Sequence, residues 1–323
     1  MKSSVLKFIC VAAVWSAIWH GFAAEQDPHR KWLDWITFCI ENEDKIVGES
    51  FLTNVAPEGI RGLRLTDKSA EKCVELGATF SNVISLHIKS EKQDSLETMM
   101  LAATNFPKLE YLHFEARLSR HIPSADILTN LIELHYLGFD APLATNIDSS
   151  IYSFTPLKEI MLRVGGANLP NGISRLTNLT KMEVYGKRTV LTGRLPTDFT
   201  NSTLEDFEAM NVSDVDEWLP ILPTNLQKLS LPGCRFATIP SAWLKDAKLE
   251  VLDLDNTSLT RFPSELLDLP SLKVLDLHLN QINNVPAINL PKGSKLRIDL
   301  QDNPIKSMAP ENKVLIKRGN IAK

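Results

Sequence analysis

The sequence predicts a repeat solenoid built on a parallel sheet, and three observations predict it. The first is a ruler. Leu249, Leu252, Leu254 and Leu259 are followed at the same spacing by Leu272, Leu275, Leu277 and Ile282, and then by Lys295, Ile298, Leu300 and Ile305, a period of 23 residues twice in succession. The second is alternation: positions 4 and 6 of each unit lie two apart, so in a strand they share a face while position 5 points the other way. The third is Ile239-Pro240, Phe262-Pro263 and Val285-Pro286, each placed thirteen residues after its unit begins. Proline ends the strand and turns the chain onto the opposite face. One such unit cannot bury its apolar face alone, so copies stack around a continuous core.

Apolar residues at positions 1, 4, 6 and 11, with Asn280 and Asn303 at position 9, resemble the leucine-rich repeat. An Asn at that position can both donate and accept, which satisfies backbone groups left unpaired inside the turn. The resemblance implies an α/β fold: a curved horseshoe with a parallel sheet on the concave face, short helices or turns on the convex face, and caps at both ends. It also implies that function lies on the concave surface.

Walking the ruler backwards places unit starts at Ile60, Val83, Leu109, Leu131, Leu157, Leu179, Leu204, Leu226, Leu249, Leu272 and Lys295, with lengths from 22 to 26. Positions 4 and 6 are then Leu63/Leu65, Leu86/Ile88, Leu112/Phe114, Leu134/Tyr136, Ile160/Leu162, Met182/Val184, Phe207/Ala209, Leu229/Leu231, Leu252/Leu254, Leu275/Leu277 and Ile298/Leu300. All 22 are apolar or aromatic in a chain that is 44% hydrophobic, so the resemblance extends from Ile60 to Ile305. The pattern departs from the family at position 9 of the early units, which holds Lys68, Glu91, Arg117, Phe139 and Gly165. One unit carries Leu191-Thr-Gly-Arg-Leu195-Pro196, similar to a plant-type signature.

The ends read differently. Residues 1–24 are expected to be a secretory signal, with Lys2 and Lys7, an apolar run from Phe8 to Ile18, and small residues at Ala23 and Ala24. Residues 25–58 form an N-terminal helical cap, with Trp32, Leu33, Ile36, Cys39 and Ile40 on one face after Pro28. Residues 59–305 are the repeat domain and 306–323 a C-terminal cap, with Ser307 capping a short helix, Pro310 in its first turn, and Val314 and Leu315 facing the core. The placement expected is secreted or extracellular, periplasmic or at the outer surface in a bacterium, with no membrane span after signal cleavage. Asn178, Asn201, Asn211 and Asn256 begin glycosylation sequons, which matter in a eukaryotic source.

Net charge is −4, and losing Lys2 and Lys7 takes it to −6, so nothing suggests a nucleic-acid partner. Cys234 falls on position 9, where the family accepts Asn or Cys. Cys39 and Cys73 either pair or remain buried thiols.

The chain has no G-x-S-x-G, H-E-x-x-H, C-x-x-C or phosphate-cradling glycine loop. Asp253, Asp255 and Thr257 faintly resemble the start of a calcium loop, but the required Gly and Glu are Ser258 and Ser264. The place to read function is therefore the concave column. Position 5 runs Arg64, His87, His113, His135, Met161, Glu183, Glu208, Ser230, Asp253, Asp276 and Asp299; position 3 adds Tyr111, and position 7 adds Lys89, Arg163, Tyr185, Asp255 and His278. Neighbouring strands about 4.8 Å apart would stack His87, His113 and His135. The candidate ligand-contacting residues are His87, His113, His135, Tyr111, Arg163, Tyr185, Glu183, Glu208, Asp253, Asp276 and Asp299. The expectation is a monomeric, non-enzymatic binding module with a protein or peptide ligand on the concave face and no cofactor. A metal-dependent protein using the three-histidine stack, and a structural or adhesive surface protein, are the alternatives. Unperturbed histidines titrate near 6.5, so falling pH would charge the N-terminal half while the carboxylates stay ionised.

Overall fold

A computed structural model of the protein describes residues 62–76, 81, 83–154, 156–166, 168–186, 195–212, 215–236, 238–245 and 248–323. The expected signal segment, the N-terminal cap with Cys39, the unit start at Ile60 and residues 191–194 lie outside the described residues.

Among these residues one parallel sheet of twelve strands runs in strict chain order. Its members are β1 (Gly62–Thr66), β2 (Ser85–Ser90), β3 (Tyr111–Ala116), β4 (Tyr136–Ala141), β5 (Glu159–Val164), β6 (Lys181–Gly186), β7 (Asp206–Met210), β8 (Lys228–Ser230), β9 (Val251–Asp253), β10 (Val274–Asp276), β11 (Arg297–Asp299) and β12 (Ile321–Ala322). Each strand turns one face inward. Leu63 and Leu65, Leu86 and Ile88, and so on to Ile298 and Leu300, are buried in a single continuous core. The expected α/β repeat solenoid is the fold observed.

One unit is displaced from its expected place. Leu112 pairs with Leu137 and Phe114 with Phe139, so the inward pair of β4 is Leu137/Phe139, not Leu134/Tyr136. The unit begins at Leu134, three residues later than the sequence suggested. Leu131 and Leu134 are both fully buried, so an apolar pattern alone fits either phase. The stacking of Phe114 on Phe139, with ring centroids 5.3 Å apart, fixes the register physically.

The opposite side of each coil changes along the chain. After β1 and β2 it carries α-helices, Asp67–Leu76 and Leu96–Ala103. In the second, Leu96, Met99, Met100 and Ala103 bury one helical stripe. Later units carry short 3-10 turns such as Ser241–Leu244 and Ser264–Asp268. Trp243 is buried beneath one of these and donates its indole N–H to the Leu219 carbonyl at 2.8 Å. Cys73 is a buried free thiol.

The C-terminal segment differs from expectation. Ser307 lies in a two-residue strand paired with Asn284–Val285, and the helix spans Asn312–Lys317. Leu315 is buried but Val314 is half exposed. Asn312 anchors the helix start: its amide donates to the Pro286 carbonyl at 2.7 Å and its Oδ1 accepts from the Ile288 N–H at 2.9 Å. The chain then adds β12 beside β11. No helix among the described residues is long and apolar enough to cross a membrane.

Candidate functional site

Because positions 4 and 6 enter the core, positions 3, 5 and 7 meet on the open face of the sheet. The pairing sets Arg64, His87, His113, Gly138, Met161, Glu183, Glu208, Ser230, Asp253, Asp276 and Asp299 side by side. His135 is not in this column. It precedes β4, and its carbonyl accepts the N–H groups of Lys158 and Glu159. The expected three-imidazole stack is therefore a pair, His87 and His113, in a T-shaped contact with centroids 5.0 Å apart. Among the described residues no group of three or more His, Cys, Asp or Glu side chains is placed to hold a metal ion.

Gly138 occupies the place expected for a histidine, and the space above it is taken. A Cβ there would lie 2.4 Å from His113 Nδ1 and 2.7 Å from the Tyr136 hydroxyl. Those two atoms lie 3.4 Å apart across the missing side chain, and the Tyr136 ring stacks on Tyr111 at 5.8 Å. Burial, then the neighbouring His87, push the His113 imidazole down to about 3. Burial also lowers His87, against an opposing hydrogen bond with Glu115. Both shifts run against the expected charging of this half as pH falls.

The charge of the N-terminal half comes from elsewhere. Glu115, at position 7 of β3, is 7% exposed and sits among basic groups. Arg117 Nη2 lies 3.0 Å from it, Lys89 Nζ and His87 Nε2 3.5 Å, and Arg64 Nη2 3.6 Å. Burial alone would raise the Glu115 carboxyl. The His87 hydrogen bond and the charges of Arg117 and Lys89 outweigh it and hold the group at about 2. Next along, Arg163 lies 3.3 Å from Asp140 Oδ2 and 5.9 Å from the Tyr185 ring centroid. The other carboxyl oxygen of Asp140 is buried without a hydrogen-bond partner.

At the middle of the face the Tyr185 hydroxyl lies 2.9 Å from Glu183 Oε2 and 3.1 Å from Glu208 Oε1. Lys181 closes on Glu183 at 2.6 Å. Burial and the Glu183 charge push Glu208 up to about 7.

The C-terminal carboxylates follow a repeated geometry. Asp253 accepts the Asp255 N–H at 2.9 Å, Asp276 the His278 N–H at 2.9 Å, and Asp299 the Gln301 N–H at 2.8 Å. Each position-5 carboxylate thus holds the turn two residues on. Burial, then the charges of Asp253, Asp299 and Asp255, raise Asp276 to about 7 despite that hydrogen bond. Asp276 and Glu208 therefore titrate near neutrality, contrary to the expectation that every carboxylate stays ionised. His278 contacts Asp302 at 2.9 Å and Asp255 at 3.3 Å; these charges raise it against its own partial burial.

Sequence reading missed Glu115, although its position 7 was in view, and missed Gly138 and Asp140 through the shifted unit. It also missed the left-handed residue at position 8 of the later units: Asn211, Gly233, Asn256, Leu279 and Asp302 all have φ between 53° and 68°. The signal was present, since four of these five are residue types that tolerate that conformation.

The leucine-rich repeat family model matches residues 224–284. No curated protein sequence matches the chain significantly. Among solved structures, an internalin of Listeria monocytogenes is 15% identical, with 85% of this chain and 88% of that one covered and a TM-score of 0.45. A leucine-rich repeat protein of Leptospira interrogans is 19% identical, covering 84% and 79%, with a TM-score of 0.44. The Toll–Spätzle complex of Drosophila matches at 14% identity, covering 86% and 48%, with a TM-score of 0.46. The family match at residues 224–284 takes in the units that begin at Leu226 and Leu249 and the first part of the one that begins at Leu272, and the leucine-rich repeat fold of that stretch continues through the sheet in unbroken register.

Proposed function

We propose that the protein is a secreted, monomeric, non-enzymatic binding module that holds a protein or peptide partner on the open face of its sheet. Residues 25–58 and 306–323 act as caps in this reading. The observation that carries it is the division of that face: Arg64, Lys89, Arg117 and Arg163 stand at one end, and Glu183, Glu208, Asp253, Asp276 and Asp299 beyond them. A partner lies in one orientation, acidic side toward the first group and basic side toward the second. Complementarity of this kind sets orientation and association rate more than affinity. It weakens as salt rises past the physiological Debye length of about 8 Å.

The test is capture of the partner from native surroundings by the purified protein, followed by binding measurements on variants. Binding is expected to fall with His113→Ala and Asp276→Lys and to survive Lys245→Ala on the outer arc. Loss with Lys245→Ala alone would remove the open face from consideration.

A further inference from the structure

The N-terminal end of the open face holds a cluster whose contacts set it apart from the carboxylates beyond it. Asp253, Asp276 and Asp299 hold turn backbone, and Glu183 and Glu208 hold the Tyr185 hydroxyl. Arg64, Lys89 and Arg117 instead converge from three strand units on a single buried carboxylate, Glu115, at 3.0–3.6 Å. One negative charge cannot balance three, and Asp140 beside Glu115 is engaged by a fourth cation, Arg163, at 3.3 Å. Lys89 also meets Glu91 at 3.6 Å, but that side chain is 83% exposed and its charge is screened by water. The three cations remain 35%, 30% and 51% exposed, so several of their N–H donors face solvent. A planar guanidinium with one edge engaged still offers donors to a carboxylate.

We propose that Arg64, Lys89 and Arg117, gathered by Glu115, form the recognition site for an acidic peptide segment of the partner. This rests on the open-face reading and adds the chemistry of what binds there. The focus of the cluster is already filled by Glu115, so a compact inorganic anion finds no place at its centre. The rim suits carboxylates spread along an extended chain. Strands about 4.8 Å apart put the outer cations on the order of 10 Å apart, within reach of acidic side chains two residues apart on a strand, about 7 Å. His87 and His113 line the same patch, and the site's sign rests on the two guanidiniums and the ammonium rather than on either imidazole.

The experiment titrates a fluorescently labelled hexaglutamate peptide into the full-length protein at low ionic strength, with hexalysine and sodium sulfate as comparisons. Hexaglutamate binding is expected, weakened about fivefold by Lys89→Gln or Arg117→Gln, as for loss of one partly exposed charge pair. Lys245→Gln should leave it unchanged, and Arg117→Lys should retain most of it. Melting curves confirm that each variant is folded. No hexaglutamate binding, equal weakening by Lys245→Gln, or equal competition by sulfate at matched charge would overturn the proposal. If the captured partner depends on Asp276 and His113 while hexaglutamate fails to bind, this site alone is wrong. If the partner ignores the open face altogether, the broader reading falls with it.

Discussion

Strands β2 to β6 are six residues long and run through position 8, whereas β8 to β11 are three residues long and stop at position 5. In the later units side chains take over work that the strand ladder does in the earlier ones. From β9 on the position-5 carboxylate takes the N–H of position 7; throughout these units position 8 turns left-handed and position 9 points an amide, thiol or hydroxyl into the coil. Asn280 is the fullest case. Its Oδ1 accepts from the N–H groups of Thr257 and Leu259, and its amide donates to the carbonyls of Leu254, Leu277 and His278. Cys234 does the same more weakly, accepting from the Val212 N–H at 3.4 Å and donating to the Ala209 carbonyl at 3.3 Å. The earlier units need no such amide because their backbone stays in the sheet. Their polar side chains at positions 5 and 7 are thereby released to contact one another, and functional charge gathers there.

The most direct way to break this comparison is to remove the position-9 residue from each half. Asn280→Ala leaves several buried backbone groups unpaired and should lower unfolding free energy by about 3 kcal/mol in denaturant titration. Glu91→Ala, at the same position of an early unit, should change it by no more than about 0.5 kcal/mol. Equal losses would mean the two halves are held alike.

The earlier half has its own tight point. Gly138→Ala forces a methyl against His113 and Tyr136 and should cost about 2 kcal/mol. Combined with His113→Ala, the loss should be smaller than the sum of the two singles, because the tighter of the two contacts is then removed and the Tyr136 ring gains room to move. Strict additivity in melting experiments would place the two side chains apart.

A pH series sharpens the contrast further. Asp276 is raised to about 7 in the folded protein. The folded state therefore holds a proton that the unfolded chain has released, and stability falls as pH rises from the ordinary carboxylate range toward 7. Asp276→Asn keeps an acceptor for the His278 N–H and removes the charge. It should stabilise the protein at pH 8 by on the order of 1–2 kcal/mol after allowing for partial solvent screening, and by much less at pH 4. A gain equal at both pH values would contradict the buried-charge account.

The smallest effect expected is at Leu279. Among the left-handed position-8 residues it alone is not Gly, Asn or Asp, and its side chain is 45% exposed. Leu279→Asn should raise stability by about 1 kcal/mol, since Asn tolerates that conformation. A lower melting temperature would show that the leucine packs usefully where it stands.

Much of this fold could be read from residues. The inward pairs from Leu252/Leu254 to Ile298/Leu300, the structural part played by Cys234 and the amide role of Asn280 followed from spacing and hydrogen-bond capacity. The fourth unit did not, because Leu131, Leu134 and Leu137 repeat every three residues and all are buried, so no apolar count selects one phase. That slip put His135 in the column and hid Gly138. The site was less legible for a second reason. His113 and Asp276 have ordinary types at exposed-looking positions, and only their packed neighbours move their ionisation. Position in a repeat says where a side chain points, but not how much water reaches it.

The amide of Asn280 joins backbone of its own coil to backbone of the coil before it, and Asn303 does likewise one unit on, with its amide on the Leu277 and Leu300 carbonyls. In a linear array, stability is a sum of unit terms and nearest-neighbour coupling terms. Coupling between the later units therefore runs through one side-chain amide at each junction, whereas between β2 and β3 or β5 and β6 it is spread over a six-residue ladder. A single substitution can uncouple neighbours only where one group carries the junction. Deuterium exchange of the β10 amides should quicken in Asn280→Ala, while that of the β2 amides should be unchanged in Glu91→Ala, so the later half can be opened at one chosen coil and the earlier half cannot.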